Sequence, residues 1–184
     1  MNDLFTPYKL KGLEMKNRIV MPPMCQYSVN AKDGIATDFH YLHYVSRAIG
    51  GAGFIIIEMT DVEPDGRISD FDLGLWSDDQ IPALKRIVEA CHKYPIGAGG
   101  RPGTHAGYQV PLAREIKKAL NVPVIAVGRL DEPTLANAVI GNEEADLIAV
   151  GRGMLRNPYW ALEASKKLNK ETEIPKQYVD GFRR

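Results

Sequence analysis

Cysteine is scarce in this chain. There are two in 184 residues, Cys25 and Cys91, and nothing around them suggests a small secreted domain stapled by disulfides. Four histidines and two cysteines, scattered along the sequence, do not frame a metal site, so no metal is expected. Net charge is missing too. Twenty-three basic and 23 acidic side chains cancel to zero, which favours neither nucleic acid nor an anionic membrane surface as a partner. Apolar runs such as residues 54–57 are far too short to span a bilayer. The opening Met1-Asn2-Asp3-Leu4-Phe5 has no basic region and no apolar stretch, so the reading expects a cytoplasmic protein without a signal peptide. What is present is ordinary: 45% apolar and 25% charged residues, as in a globular protein long enough for one sizeable core.

Two patterns alternate along the chain. Short runs rich in Ile and Val read as buried parallel strands, and each has a helical period nearby. The first run is Ile19-Val20-Met21, stopped by Pro22-Pro23, with a helix predicted from Asp38 to Ile49. The second is 53–57. Ser77-Asp78-Asp79-Gln80 then reads as a capping box opening a helix with Ile81, Leu84, Ile87, Val88 and Cys91 on one face. Further on, 111–120 reads as a helix with Leu112, Ile116 and Leu120 on one face. A strand at 122–127 ends in Gly128, and a helix at 132–140 has Asp131 as its N-cap. A strand at 146–150 ends in Gly151-Arg152. Asn157-Pro158 opens the last helix, which runs to about residue 168, and a polar tail follows.

Between 95 and 106 the pattern breaks in a stretch crowded with Gly and Pro, which holds no regular element for long. The chain is read as one truncated domain: N-terminal βα units over 1–94, a seam over 95–106, and C-terminal βα units with the tail over 107–184. Four strands are visible, and a closed (β/α)₈ barrel needs about 250 residues.

Chemistry in β/α folds sits beyond the carboxyl ends of the strands. The last two strands end in Gly128-Arg129 and Gly151-Arg152. Glycine lets the backbone approach an anion, and arginine offers a fork matched to phosphate. Two such units in succession suggest a phosphate cradle. Tight turns with solvated arginines explain them equally well. The first strand exits through Pro22-Pro23-Met24-Cys25-Gln26-Tyr27, a stiff loop that sets a thiol and a phenol where a ligand would lie; a packed strand exit is the plainer alternative. Glu58, ending the second strand, reads as structural, and His40 and His43 as helix-packing residues.

Lys16-Asn17-Arg18-Ile19-Val20-Met21-Pro22-Pro23-Met24-Cys25-Gln26-Tyr27-Ser28 closely resembles the first strand of the thermophilic-like Old Yellow Enzymes. Arg47-Ala48-Ile49-Gly50, Gly66-Arg67-Ile68 and Asp72-Leu73-Gly74-Leu75-Trp76-Ser77-Asp78 continue the likeness. So do Gly107-Tyr108-Gln109-Val110-Pro111, Gly151-Arg152 and Leu155-Arg156-Asn157-Pro158-Tyr159. The resemblance covers about 4–94 and 107–178. It implies a TIM-barrel flavoprotein that binds FMN, takes hydride from NADPH or NADH and passes it to a small activated alkene such as an enone, or to a quinone. By the same resemblance Pro22, Pro23, Met24 and Cys25 line the flavin, with Cys25 tuning it and Tyr27 meeting the substrate. Gly128, Gly151 and Arg152 hold the phosphate, and Met59 stands where relatives carry a small residue beside the ring.

The third to sixth strands of that family are not recognisable here. With them go the flavin-binding Gln and Lys and the His pair that grips a substrate carbonyl. The retained strands correspond to numbers 1, 2, 7 and 8, which in a closed barrel form one contiguous half. The expected fold is therefore a half-barrel with two open strand edges and an apolar inner face, which invites pairing into a homo-oligomer. Three readings stand: an FMN-dependent oxidoreductase, a catalytically impaired FMN- or phosphate-binding half-barrel, and an unrelated barrel fragment binding a sugar phosphate. Relatives use a C-terminal Arg to reach a neighbouring subunit; the aligned residue here is Asp180, with Arg183 and Arg184 nearby.

Overall fold

The computed structural model describes residues 2–93 and 106–182. The seam at 95–105 with His105, and also Arg183 and Arg184, lie outside the described residues. The chain opens with a hairpin absent from the sequence expectations, in which β1 (Tyr8–Leu10) and β2 (Leu13–Met15) pair antiparallel with Tyr8 opposite Met15. Then come β3 (Ile19–Met21), α1 (Asp38–Ile49) and β4 (Phe54–Ile55). A small parallel pair, β5 (Thr60–Asp61) and β6 (Leu73–Gly74), leads to α2 (Ile81–Cys91). The second part runs α3 (Val110–Leu120), β7 (Ile125–Ala126), α4 (Pro133–Gly141), β8 (Leu147–Ala149), α5 (Arg152–Arg156), α6 (Trp160–Leu168) and α7 (Val179–Phe182).

The central sheet is parallel in the order β4-β3-β8-β7. That is the strand order of a contiguous half-barrel, with the chain's first parallel strand beside its last. Ile19 lies opposite Ile148 and Val20 opposite Ala149, and Val150 N–H donates to the Val20 carbonyl at 2.7 Å. Side chains alternate across the pleat. Ile19, Met21, Ile55, Ala126 and Ile148 join the main core under the helices. Val20, Phe54, Leu147 and Ala149 form a second cluster on the other face. That inner face is not laid bare as expected: its residues are buried, and Met15, Tyr8 and Leu10 of the hairpin pack with them. Among the described residues, β4 and β7 each pair on one side only.

Helix α1 spans the predicted residues, and the Ser77/Gln80 capping box forms, though around a 3₁₀ turn that precedes α2. Ile87 and Cys91 of α2 are buried, whereas Ile81 and Val88 on the same predicted face are exposed. The α3 helix forms as expected, with its apolar face turned outward. Leu112, Ile116 and Leu120 are 63%, 49% and 66% exposed, while Val110 and Ala113 meet the core. An apolar stripe marks which side of a helix wants cover; it does not supply the cover. The cap of α4 is Glu132, whose carboxylate accepts from Leu135 N–H at 2.8 Å; Asp131 instead pairs with Arg156. The last long helix begins at Trp160, with Asn157 Oδ1 accepting from Tyr159 N–H, and the short α5 before it was not foreseen.

Asn17, fully buried, fastens the two N-terminal strands. Its amide donates to Gly51 O at 2.9 Å and its oxygen accepts from Ile19 N–H at 3.0 Å. A Cβ at Gly53 would come within 2.6 Å of the Asn17 carbonyl oxygen, so the chain admits only glycine there. Asn17→Ala orphans a buried donor and a buried acceptor, and is expected to cost about 3 kcal/mol, measured as a lowered urea midpoint at unchanged m-value.

Candidate functional site

The β3–β8 pairing sets two strand exits side by side. Beyond β3 run Pro22, Pro23, Met24, Cys25 and Tyr27; beyond β8 run Val150, Gly151 and Arg152. With Val127, Arg129, Leu130 and Asp131 from the β7 exit, plus Ala149 and Leu155, they enclose a cleft of about 240 Å³. It lies at the carboxyl ends of the strands, where ligands sit in β/α folds, and is slightly smaller than usual ligand pockets of about 300–1,000 Å³.

Of the residues singled out in the sequence, the fold brings Pro22, Pro23, Met24, Cys25, Tyr27, Gly151 and Arg152 onto this one cleft. Met59 and Gly128 are not on its wall. Met59 is half-buried just past the β4 exit. Gly128, with φ +122°, sits where a Cβ would meet the Tyr108 ring at 2.8 Å; it shapes the turn that presents Arg129. Asp131 and Leu155 line the cleft without having been chosen as site residues, and Arg129, half of the suggested phosphate cradle, lines it too. For Arg129 the signal was its place directly after a strand-ending glycine.

The donor set suits a flavin phosphate ester. Met24, Val127 and Ala149 give an apolar wall to a planar ring. Exposed Arg129 and Arg152 give forked cations to a phosphate. Gly151 is wedged between the two exits, since a Cβ there would stand 3.3 Å from both Met24 Sδ and Pro22 Cγ. Tyr27 is 44% exposed and adopts a left-handed φ of +50°; Arg129 does the same at +54°.

Behind the β3 exit lies a buried polar cluster. Glu58 Oε2 accepts from Gln26 N–H at 2.6 Å, and Oε1 accepts from Tyr44 OH at 2.9 Å. The Tyr44 oxygen in turn accepts from Glu58 N–H at 2.8 Å. His40 Nδ1 accepts from Thr37 N–H at 3.0 Å, leaving Nε2 3.7 Å from Glu58 Oε1. Burial pushes the Glu58 carboxyl above the usual carboxylate range and holds His40 below the usual imidazole range. His43, stacked on Phe39 and edge-on to Tyr44, is pulled down to about 3 by burial, with help from cationic Arg47 and from His40.

His43 makes stability pH-dependent. Between its unfolded value near 6.5 and about 3, the unfolded chain binds a proton that the folded chain refuses. Stability therefore falls as pH falls through that window. His43→Leu is expected to flatten this slope: the difference in urea midpoint between native protein and variant, followed from pH 7 to pH 4, moves in favour of the variant.

The chain is similar in sequence to known flavin oxidoreductases. The profile of the NADH:flavin oxidoreductase / NADH oxidase family matches residues 3–99 and 100–171. An NADPH dehydrogenase of Listeria monocytogenes serotype 4a (strain HCC23) is 56% identical over 123 residues, which is 67% of this chain and 36% of that protein. The chain thus spans about a third of the length of such relatives. An NADPH dehydrogenase of Geobacillus thermodenitrificans (strain NG80-2) is 26% identical in an alignment of 335 positions reaching 98% of both chains. As this chain has 184 residues, an interior stretch of that relative has no counterpart in it. Among solved structures, the old yellow enzyme homologue from Zymomonas mobilis is 29% identical with a TM-score of 0.48, covering 68% of this chain and 33% of that one. The chain belongs to the NADH:flavin oxidoreductase / NADH oxidase family.

Proposed function

We propose that the chain binds FMN in the cleft between the β3, β7 and β8 exits and works as an NADPH- or NADH-dependent oxidoreductase on a small activated alkene, such as an enone, or on a quinone. The convergence of Met24, Cys25, Gly151 and Arg152 on one cleft carries this reading. In it, Pro22, Pro23, Met24 and Cys25 form the ring-facing wall. The Cys25 thiol is a weak hydrogen-bond donor able to tune the ring it touches. Gly151 lets the backbone come close, and Arg152 takes the phosphate, with Arg129 as a second fork. Gly128 contributes indirectly through its turn, and Met59 borders the ring side of the neighbouring strand exit. Tyr27, standing proud of the turn, offers a phenol O–H to the substrate. When bound, FMN supplies the hydride-transfer chemistry itself.

A weaker activity is favoured by one observation, the chain's coverage of 36% of its Listeria relative. Polarisation of a substrate carbonyl supplies much of the barrier lowering in such chemistry, and the resemblance finds no counterpart here of the His pair that does it. Quinone reduction asks less of the protein than alkene reduction, and an impaired FMN-binding half-barrel is the second reading. Titration of purified protein with FMN is expected to give a yellow complex that NADPH bleaches, with menadione turned over faster than cyclohexenone. Arg152→Ala is expected to weaken FMN binding about tenfold, as loss of one charge-assisted contact does. A yellow protein without turnover supports the second reading; a protein that takes up no FMN sinks both.

We further propose that two copies associate. Among the described residues two edges stay unpaired, at β4 and β7, and the helix layer carries exposed apolar side chains, Ile81 and Val88 on α2 and Leu112 and Ile116 on α3. A two-fold axis along the strands sets β4 of one copy beside β7 of the other at both seams, making eight strands. Sedimentation at micromolar concentration is expected to return twice the monomer mass, and Ile116→Lys to shift it towards monomer; a monodisperse native monomer overturns the pairing.

A further inference from the structure

Glu58 is not on the cleft wall, yet it holds the part of the wall that carries Cys25 and Tyr27. Its side chain is buried at the base of the β3 exit, on the first residues past β4. One carboxylate oxygen takes the N–H of Gln26 at 2.6 Å, and the Tyr27 amide that follows helps hold the charged form. The turn is thus tied at its backbone to one carboxylate. This is a feature of the turn, not of a strand ladder, and it coincides with the left-handed Tyr27 at φ +50°. A tyrosine rarely adopts that conformation unless its surroundings impose it. The carboxylate is itself fixed from behind. Tyr44 of α1 donates to Oε1 and accepts from the Glu58 backbone, and His40 approaches the same oxygen.

We infer that Glu58, braced by Tyr44 and backed by His40, is a positioning residue that clamps the Cys25–Tyr27 turn into the shape of the cleft. The inference rests on the flavin reading for its purpose, because the clamped thiol and phenol are the groups assigned there to ring and substrate. Its physical content does not depend on a bound flavin. A buried carboxylate gives the Gln26 amide and the Tyr44 phenol an acceptor oxygen each. A glutamine in its place has a single acceptor oxygen and an amide group that faces a donor with N–H of its own. At least one of the two bonds is lost, and the turn opens more often.

Cys25 reports this directly. It is half-buried on the cleft, while Cys91, the other cysteine, is buried under α2 with its thiol pushed up to about 11. Alkylation of the two thiols by iodoacetamide in the flavin-free protein, followed peptide by peptide by mass spectrometry, separates a local from a global effect. In Glu58→Gln the Cys25 rate is expected to rise about tenfold, the shift in open population from losing one hydrogen bond to a charged group, with the Cys91 rate unchanged. Equal Cys25 rates in native protein and variant overturn the inference. So does a parallel rise at both cysteines, which is general loosening. If Glu58→Gln does not fold, Tyr44→Phe keeps the carboxylate and removes the phenol's two bonds to Glu58, one to Oε1 and one from its N–H; a few-fold rise at Cys25 alone is then expected, and no rise overturns the clamp. In the flavin-loaded protein, Glu58→Gln is further expected to shift the flavin absorption maximum. A native protein that takes up no FMN defeats the cofactor reading instead, and leaves the thiol rates to decide the clamp.

Discussion

Everything at the cleft depends on the parallel pairing of β3 with β8. Ile19 and Val20 meet Ile148 and Ala149, and Arg18 reaches across to the Asp146 carbonyl at 2.8 Å, a contact between residues 128 apart in sequence. Closing a loop of that length costs about 4 kcal/mol. Burying two large apolar side chains offsets that, at about 1.5–3 kcal/mol each, and the seam buries Ile19, Val20, Leu147 and Ile148. The pairing also fixes direction. Because both strands run the same way, their carboxyl ends emerge together, and the Pro-Met-Cys turn stands against the Gly-Arg turn. An antiparallel arrangement of the same four residues would put the two turns at opposite ends of the sheet.

The strands were legible because a strand buried on both faces reads as a continuous apolar run, and β3, β4, β7 and β8 each do. Their exits were legible because Pro22, Gly128 and Gly151 punctuate them. The half-barrel order followed only from the resemblance, since no periodicity says which strand neighbours which. Other features lay beyond the sequence for identifiable reasons. The β1–β2 hairpin is three residues a side, too short for alternation to register. Asp131 is of the residue type that caps by preference, and the cap fell to Glu132 because Arg156 and Trp160 draw Asp131 away through its carboxylate and its carbonyl. The shared face of Leu112, Ile116 and Leu120 on α3 was legible from its spacing, but whether a neighbour covers it was not, because periodicity reports a side of the helix and not what packs there. At the site, seven of the chosen residues converge. Gly128 and Met59 are not on the wall, because the resemblance assigned them relative to a ring and not to the protein surface.

A half-barrel has a problem that a whole barrel does not, since its inner face has no opposite wall. Here the hairpin supplies part of one. Met15, Tyr8 and Leu10 pack against Val20, Phe54, Leu147 and Ala149, so the inner face is closed locally at low cost in chain length. The Tyr8 ring also stacks against the Arg18 guanidinium, 4.8 Å from its centroid, tying the hairpin to the start of β3. The edges are handled differently. β4 and β7 are two residues each, and short edge strands offer little template for uncontrolled pairing. What stays uncovered is the helix layer beside them, and this is why the apolar stripes of α2 and α3 describe the surface of this chain better than its sheet does.

The cleft is built from strained turns, and each is held from outside. Tyr27 and Arg129 are both non-glycine residues in left-handed conformations on its rim, at a cost of about 1–2 kcal/mol apiece. Such strain persists only where neighbouring contacts over-determine it. On the β3 side the contact is the Gln26 amide that enters the Glu58 carboxylate. On the β7 side, Gly107 N–H donates to the Gly128 carbonyl at 2.6 Å and the Tyr108 ring fills the space beside Gly128. The two braces are chemically unlike, one an anion accepting an amide and the other a backbone bond with an aromatic wedge, but they do the same mechanical work. Each presents a long side chain over the cleft from a backbone that cannot relax towards the ordinary helical or extended regions. Turns left to their intrinsic preferences would settle elsewhere and close the space between Met24 and Arg152. A preformed cleft, whose ordering cost is met in folding and not in binding, is what a rigid planar ligand with an anionic tail requires.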